Sequence, residues 1–181
     1  MSDIFWKEIQ SELQKGVQDP GHPFRFFTLG TVGTEGIPIL RTVVLRKTSE
    51  SFNLFFYTDQ RSQKVAHIQG NKNVSLLFYH PENWVQLHIE GEAKIIDDAK
   101  ILKEYWDKVS PRNRRDYTRV LAPGSTVSKP EAVEYLTDKN HFCAIAVEPL
   151  TIEYLKIQSP EHVRLRFSRE NGIWKRNFLV P

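Results

Sequence analysis

The chain has 181 residues, with 25 Lys+Arg against 22 Asp+Glu and a single cysteine. That length fits one domain able to bury a substantial core without staples, lone Cys143 excludes an internal disulfide framework, and a net charge of +3 is too small by itself to argue for nucleic acid. The opening MSDIFWKEIQSELQ is amphipathic and has no apolar run long enough for a signal peptide or a membrane span, so a soluble cytoplasmic protein is expected.

Ile4, Phe5, Ile9 and Leu13 recur at helical spacing behind a cap at Ser2 or Asp3, and the stretch from Gly16 to Pro23 breaks the pattern. A packing helix over about 3–18 is expected. From Phe24 the texture turns to strands: Phe24–Val32, a turn at Gly33-Thr34-Glu35-Gly36, Ile37–Thr48, a turn around Ser49–Ser51, and Phe52–Tyr57. Connections this short make antiparallel neighbours. A helix over about Arg61–Gln69 stops at Gly70-Asn71, and Val74–Tyr79 resumes strand character. Trp84–Ile96 alternates as one long strand, in which Gly91 marks a bulge or a close approach of another backbone.

Asp97-Asp98 leads into a helix whose Ile101, Leu102, Tyr105, Trp106 and Val109 form one apolar stripe, ended by Ser110-Pro111. The next stretch carries Arg112, Arg114, Arg115 and Arg119 and a loop at Pro123-Gly124-Ser125, and Ser128 and Pro130 lead into a further helix over Lys129–Thr137. Phe142–Ile157, Val163–Ser168 and Ile173–Leu179 return to strands, the last two joined by Asn171-Gly172, the strongest hairpin signal in the chain. About eight strands, mostly connected in sequence, predict a mainly β protein with peripheral helices, an antiparallel barrel of six to eight strands rather than a parallel α/β sheet. One domain over 1–181 is expected, with its barrel core at about 24–96 and 142–181 and a helical insertion at about 97–138. Such a barrel is filled by its own side chains, so a ligand has to bind outside, in a groove or at a subunit interface.

The stretch from Arg41 to Lys64 is the densest in chemistry. Arg41, Arg46, Lys47, Arg61 and Lys64 place five cations in one hairpin and the helix start behind it, beside hydroxyls at Thr42, Thr58 and Ser62. A helix start offers unpaired N–H groups and a partial positive charge, and Arg and Lys nearby complete an anion site that needs no glycine-rich loop. A solvated basic hairpin accounts for the same residues. The six histidines are scattered without a metal-ligand spacing, so no metal is expected, no Ser-His-Asp set appears, and Cys143 reads as a buried strand position.

Taken in order, these pieces resemble the pyridoxamine 5'-phosphate oxidase-like flavoproteins over nearly the whole chain. The likeness is carried by Arg41-Thr-Val-Val-Leu-Arg46, Phe56-Tyr-Thr58, Ser62-Gln-Lys64, Asn73-Val-Ser-Leu-Leu-Phe78, Gln86 five residues before Gly91, and the ending Trp174–Pro181. The resemblance implies an FMN-binding split barrel that works as a homodimer with FMN at the interface. It implies that Arg41 reaches the FMN phosphate and that the strand continuing through Thr42, Val43, Val44, Leu45 and Arg46 runs along the ring or ribityl. Tyr57 and Thr58 are then expected at the phosphate end, with Ser62, Gln63 and Lys64 supplying a hydroxyl, an amide and a cation at the helix start. Gln86 is expected to come from the other subunit, Arg164 to lie near the flavin, and Ser125 to fall near the phosphate.

Several positions depart from the family pattern. Gln63 stands where the family has Arg, Leu155 where an aromatic ring covers the cofactor, and Glu161-His162-Val163-Arg164 is a shortened form of the Arg-x-His substrate segment. Ser110-Pro111-Arg112 matches only part of the Arg-Pro-Arg segment that helps bind the substrate phosphate, leaving Arg112 or Arg114 for that role. The implied activity is an FMN-dependent oxidation or reduction of a small molecule, phosphorylated or not, with the flavin carrying the chemistry and the protein binding and tuning it. The alternative is a non-catalytic flavin- or haem-binding split barrel, which Leu155 and the shortened segment favour. Binding of single-stranded nucleic acid through Phe55, Phe56, Tyr57, Phe78 and Tyr79 is disfavoured, because strand alternation puts about half of those rings in the core. No nucleic-acid or membrane partner is expected. His88, on the same strand face as Gln86, is a further candidate near the ring.

Overall fold

The computed structural model describes residues 4–181, so the cap expected at Ser2 or Asp3 lies outside the described residues. Helix α1 (Ile4–Gln18) turns Trp6, Ile9 and Leu13 inward and leads through a 3-10 turn, Pro23–Arg25, into β1 (Phe26–Val32) and β2 (Pro38–Val44). The chain continues through β3 (Lys47–Thr48), β4 (Leu54–Asp59), α2 (Gln63–Gly70), β5 (Asn73–His80) and β6 (Val85–Ile95). Helices α3 (Ala99–Asp107) and α4 (Pro111–Arg114) precede β7 (Phe142–Lys156), β8 (Val163–Glu170) and β9 (Ile173–Leu179). No helix among the described residues is long and apolar enough to cross a membrane.

All pairings are antiparallel, in the order β2-β1-β5-β6-β7-β4-β3, and the sheet forks at β7, whose first half pairs with β4 and whose second half pairs with β8. The two ends of this order approach each other because Leu45 and Arg46 carry the chain from β2 to β3. Leu45 N donates to Arg25 O and Arg46 N to Phe55 O, each at 2.8 Å. Strand β2 then packs beside β4 while its ladder partner is β1, which leaves a seam between β2 and β4. This is a split barrel with peripheral helices, as expected, though the described residues form nine strands rather than six to eight, β3 being only two residues long. The run expected as one strand, Ile37–Thr48, is broken at Leu45-Arg46 by that crossing.

The inside is laid down in rows. Leu29, Leu76, Ile89, Ile152 and Phe167 stand side by side on five consecutive strands, all fully buried. Each such side chain stabilises the fold by about 1.5–3 kcal/mol relative to exposure. Phe27 stacks on Phe78 with ring centroids 4.8 Å apart, and Trp6 of α1 closes the bottom against Phe52 and Phe167. Tyr105 of α3 and Val109, just past its end, join Tyr117, Phe142 and Ala144 in a second, smaller cluster.

Lys129–Thr137 is not the helix expected. Only a 3-10 turn, Pro130–Ala132, forms, and Tyr135 makes a strand-like bridge to Arg119. Val120 N donates to Glu134 O and Leu136 N to Thr118 O, so the backbone groups a helix would use are taken by the preceding segment. Gly91 does mark a bulge: the register of β6 on β7 shifts between Glu90 and Gly91, and a Cβ at Gly91 would overlap the Glu148 carbonyl. Gly91→Ala is expected to cost about 1–3 kcal/mol, read as a lower urea midpoint with an unchanged slope.

Candidate functional site

The cations of the Arg41–Lys64 stretch separate in the fold. Thr58, near the end of β4, is buried, and its Oγ1 lies 3.2 Å from Ser62 Oγ and accepts from Lys64 Nζ at 3.0 Å. Ser62 is the N-cap of α2, yet its hydroxyl makes no capping bond and faces Thr58 instead. The first turn of α2 therefore keeps backbone donors for another acceptor. Arg41, on β2 across the seam, donates through Nη1 to Thr31 Oγ1 at 2.6 Å and Leu29 O at 3.3 Å. Burial, then the nearby Arg41 charge, holds the Lys64 ammonium below its ordinary value, and burial does the same to Arg41. Among the described residues neither cation has a carboxylate in ion-pair reach, because the neighbouring Asp59 is held by Arg61 at 2.8 Å. Two half-buried cations near enough to repel each other, two hydroxyls and an uncapped helix start thus lie together with no carboxylate paired to either cation among the described residues.

Arg61 is not free to join them. Its guanidinium grips Asp59 and donates to the carbonyls of Arg119, Val120 and Leu121, stapling that loop to the start of α2. Lys47 reaches the Tyr105 hydroxyl, 3.3 Å away, and lies over the Phe55 and Tyr105 rings. Gln63 is exposed at the first helical position. Along β2 the Val43 side chain is buried, as is Leu45 just beyond it, Val44 is partly exposed and Thr42 exposed, so the strand can offer a ligand its backbone and its Thr42 and Val44 side chains. As β2 ends the ladder order, alternate N–H and C=O groups point away from β1.

Tyr57 points to the opposite side of β4 from Thr58. Its ring stacks on Tyr105, 5.6 Å between centroids, and burial pushes its hydroxyl up to about 12. Arg46 lies over that ring and helps line a cavity of about 310 Å³ with Arg25, Tyr57, Lys108, Ser110 and Asn113. Lys108 is paired with Glu104, whereas Arg25 and Arg46 have no carboxylate partner among the described residues. Arg114 is spent at the end of α3, donating to Val109 O and Trp106 O, and Arg112 is exposed. Arg25 lies outside every motif, so nothing in the sequence marked it.

Gln86, Leu155 and Arg164 form one row across β6, β7 and β8, with Tyr79 of β5 beside Gln86. The next row holds Leu77, His88, Glu153 and Arg166. Both rows face away from the barrel interior, since the flanking Val85, Leu87 and Ile89 are buried. Arg41 belongs to the other parity: it pairs with Leu29, in the row of buried residues. Within one chain, Arg41 and the Gln86–Arg164 row therefore lie on opposite faces of the sheet. His88 Nε2 is 2.8 Å from Ser75 Oγ. Ser125 sits on an exposed loop that Arg61 ties down a few residues earlier, lining a groove of about 520 Å³ with Leu121 and Val127.

Glu153 clamps both arginines of the outer rows, Arg164 at 2.6 Å and Arg166 at 2.9 Å. Arg166 was legible as the residue two places from Arg164 on the same strand face, but no motif pointed to it. Burial pushes the Glu153 carboxyl up, the hydrogen bonds of Arg164 and Arg166 pull it down, and the balance lies below the ordinary value. A carboxyl lowered on folding adds stability above its unfolded value of about 4.3 and loses it as pH falls through the lower folded value. Glu153→Gln is expected to lower the melting temperature at pH 7 and to flatten its fall below about pH 4, in thermal unfolding scans across pH.

The scattered histidines also produce one buried cluster: Glu12, His22 and His80 converge, with Nε2 of the two rings 3.2 and 3.8 Å from Glu12 Oε2. Each ring accepts a backbone N–H at Nδ1, His22 from Phe24 and His80 from Asn83. For His22 that leaves the ring proton on Nε2, directed at the carboxylate, whereas His80 Nε2 also lies 3.2 Å from the Asn83 side-chain amide nitrogen.

A family model described as pyridoxamine 5'-phosphate oxidase, FMN-binding domain, matches residues 4–97. The pyridoxine/pyridoxamine 5'-phosphate oxidase of Leptospira interrogans is 28% identical over an alignment covering 96% of this chain and 86% of the relative. A pyridoxamine 5'-phosphate oxidase-related, FMN binding protein of Nostoc punctiforme superposes with a TM-score of 0.82 at 23% identity, over 99% and 98% of the two chains. PhzG of Burkholderia lata, solved with tetrahydrophenazine-1-carboxylic acid, gives 0.80 at 20% identity, over 100% and 94%. These two share the fold.

Proposed function

The chain belongs to the pyridoxamine 5'-phosphate oxidase FMN-binding domain family, and from that premise we propose that it is an FMN-dependent oxidoreductase, a single-domain cytoplasmic homodimer acting on a small anionic molecule. The observation that carries this reading is the carboxylate-free donor set of Arg41, Thr58, Ser62 and Lys64 at the uncapped start of α2. It fits a phosphate monoester, whose oxygens need charge-assisted and hydroxyl donors. Gln63, in place of a further cation, offers one neutral donor beside them. The backbone of β2 from Thr42 to Leu45 leads away from this set and gives a flat ring an edge of alternating donors and acceptors.

When bound, FMN supplies two-electron redox chemistry, and the chain's task is to hold and orient it. Gln86, Leu155 and Arg164 point away from the phosphate set, so they serve the cofactor of a second copy. The exposed apolar face of Phe26, Leu40, Leu77 and Tyr79, on three adjacent strands, supports burial against that copy. Ser125 lies on the loop that Arg61 ties to the phosphate end. The cavity holding Arg25 and Arg46, at the end of β2, supports a substrate with a negative charge, pyridoxamine 5'-phosphate being the first to try.

Absorbance of the purified protein loaded with FMN tests the cofactor. Two flavin bands that bleach on reduction are expected, and a Soret band or no retained chromophore would sink the reading. Turnover of pyridoxamine and pyridoxine 5'-phosphate on the loaded protein then tests the substrate. Absence of pyridoxal phosphate would remove that substrate and leave the cofactor standing.

A further inference from the structure

Helix α2 carries, one turn beyond Lys64, a group that the site above does not use. His67 Nδ1 lies 3.0 Å from Thr31 Oγ1, and the same oxygen lies 2.6 Å from Arg41 Nη1. The direction of both bonds follows from what each group can give. A guanidinium only donates, so Thr31 accepts from Arg41. The Thr31 hydroxyl is buried, at 2% exposure, and has one proton to place on a protein acceptor. His67 Nδ1 is the acceptor within reach, so the bonds run from Arg41 to Thr31 to His67, with the ring proton on Nε2.

We infer that His67 is a positioning residue for Arg41, acting through Thr31. The inference rests on the cofactor reading, which gives Arg41 an anion to hold. Arg41 stands on a strand that is laddered on one side only, and a free guanidinium there would lose rotamer freedom on binding. Holding it beforehand lowers that loss. A carboxylate would hold it more strongly but would neutralise the charge the ligand needs. The Thr31–His67 relay and Leu29 O hold it with neutral acceptors, so the full charge stays available. One helix thus supplies Lys64 directly and fixes Arg41 indirectly, from positions three residues apart on neighbouring turns.

The test titrates FMN and riboflavin into the parent protein and into His67→Ala, His67→Asn, Thr31→Val and the His67→Ala/Thr31→Val double variant, following flavin fluorescence. His67→Ala and Thr31→Val are each expected to weaken FMN about fivefold to tenfold, the size of one hydrogen bond, and the double variant to be no weaker than the poorer single one. His67→Asn, whose Oδ1 stands where Nδ1 stood, is expected to keep parental FMN affinity. Riboflavin, which lacks the phosphate, is expected to bind all five proteins alike. Parental FMN affinity in His67→Ala overturns the inference, and so does equal weakening of both flavins, the mark of general packing loss. A parent protein that binds neither flavin overturns the cofactor reading itself, a distinct result. Should His67→Ala not fold, His67→Asn against Thr31→Val decides the same question.

Discussion

Replacing Arg41 and Lys64 together by alanine is expected to abolish FMN retention while leaving the apoprotein at least as heat-stable as the parent. Each cation can give a phosphate a charge-assisted hydrogen bond of about 1.5–3 kcal/mol. The two act on one ligand and are not strictly additive, so a loss of about a thousandfold in affinity is the expected scale. The stability half of the prediction comes from what both groups experience without a ligand. Burial weakens the charged form of each, and the Arg41 charge adds to the penalty on Lys64. Their protein contacts are to neutral oxygens, Thr31 Oγ1 and Leu29 O for Arg41 and Thr58 Oγ1 for Lys64. Removing both therefore relieves repulsion as it removes hydrogen bonds. Gel filtration followed by flavin absorbance reads retention, and thermal unfolding with and without FMN reads stability. Unchanged FMN affinity would mean that the phosphate binds elsewhere; a collapsed apoprotein would make the pair part of the fold.

Most of the fold was legible because its signals are local. Asn171 and Gly172 both take positive φ, the geometry a two-residue hairpin needs, and β8 and β9 follow from it. The alternation of β6 survives its bulge because Gly91 lacks a Cβ to meet Glu148. Lys129–Thr137 does not form the expected helix because its competitor is not local: Thr118 and Val120, outside the segment, take the backbone groups of Leu136 and Glu134 within it. The candidate site divides in the same way. Thr58, Ser62 and Lys64 are close in sequence and meet in space. Arg61 and Lys47 carry the same charge at similar spacing, yet tertiary partners, the loop carbonyls at 119–121 and the Tyr105 hydroxyl, take them away. Thr31 and His67 gave no signal, since a hydroxyl and an imidazole 36 residues apart are joined only once α2 lies against β1.

Mixing two defective variants is expected to restore FMN binding that neither has alone. The argument is one of parity. Arg41 stands in line with Leu29, Leu76 and Ile89 on the inner side of the sheet, and Gln86 and Arg164 stand on the outer side. No bend in β6 between Gln86 and Ile89 exchanges the faces, because the register shift comes later, at Glu90/Gly91. One FMN touching both sets must therefore take them from two chains. Arg41→Ala/Lys64→Ala lacks the phosphate half of both sites of a homodimer, and Gln86→Ala/Arg164→Ala lacks the other half. A heterodimer of the two has one site built wholly from intact residues and one site with both halves damaged. Random pairing of equal amounts makes about half of the dimers mixed, so about a quarter of all sites are expected to bind FMN at parental affinity. Co-expression with two affinity tags isolates the mixed dimer, for which one FMN per dimer is expected. Leu40→Asp, placing a charge on the exposed edge strand of the apolar face, is expected to lower both the dimer fraction and FMN content in step, by sedimentation and absorbance. Monomers that keep full FMN content, or a mixed dimer that binds none, would place the whole site within one chain.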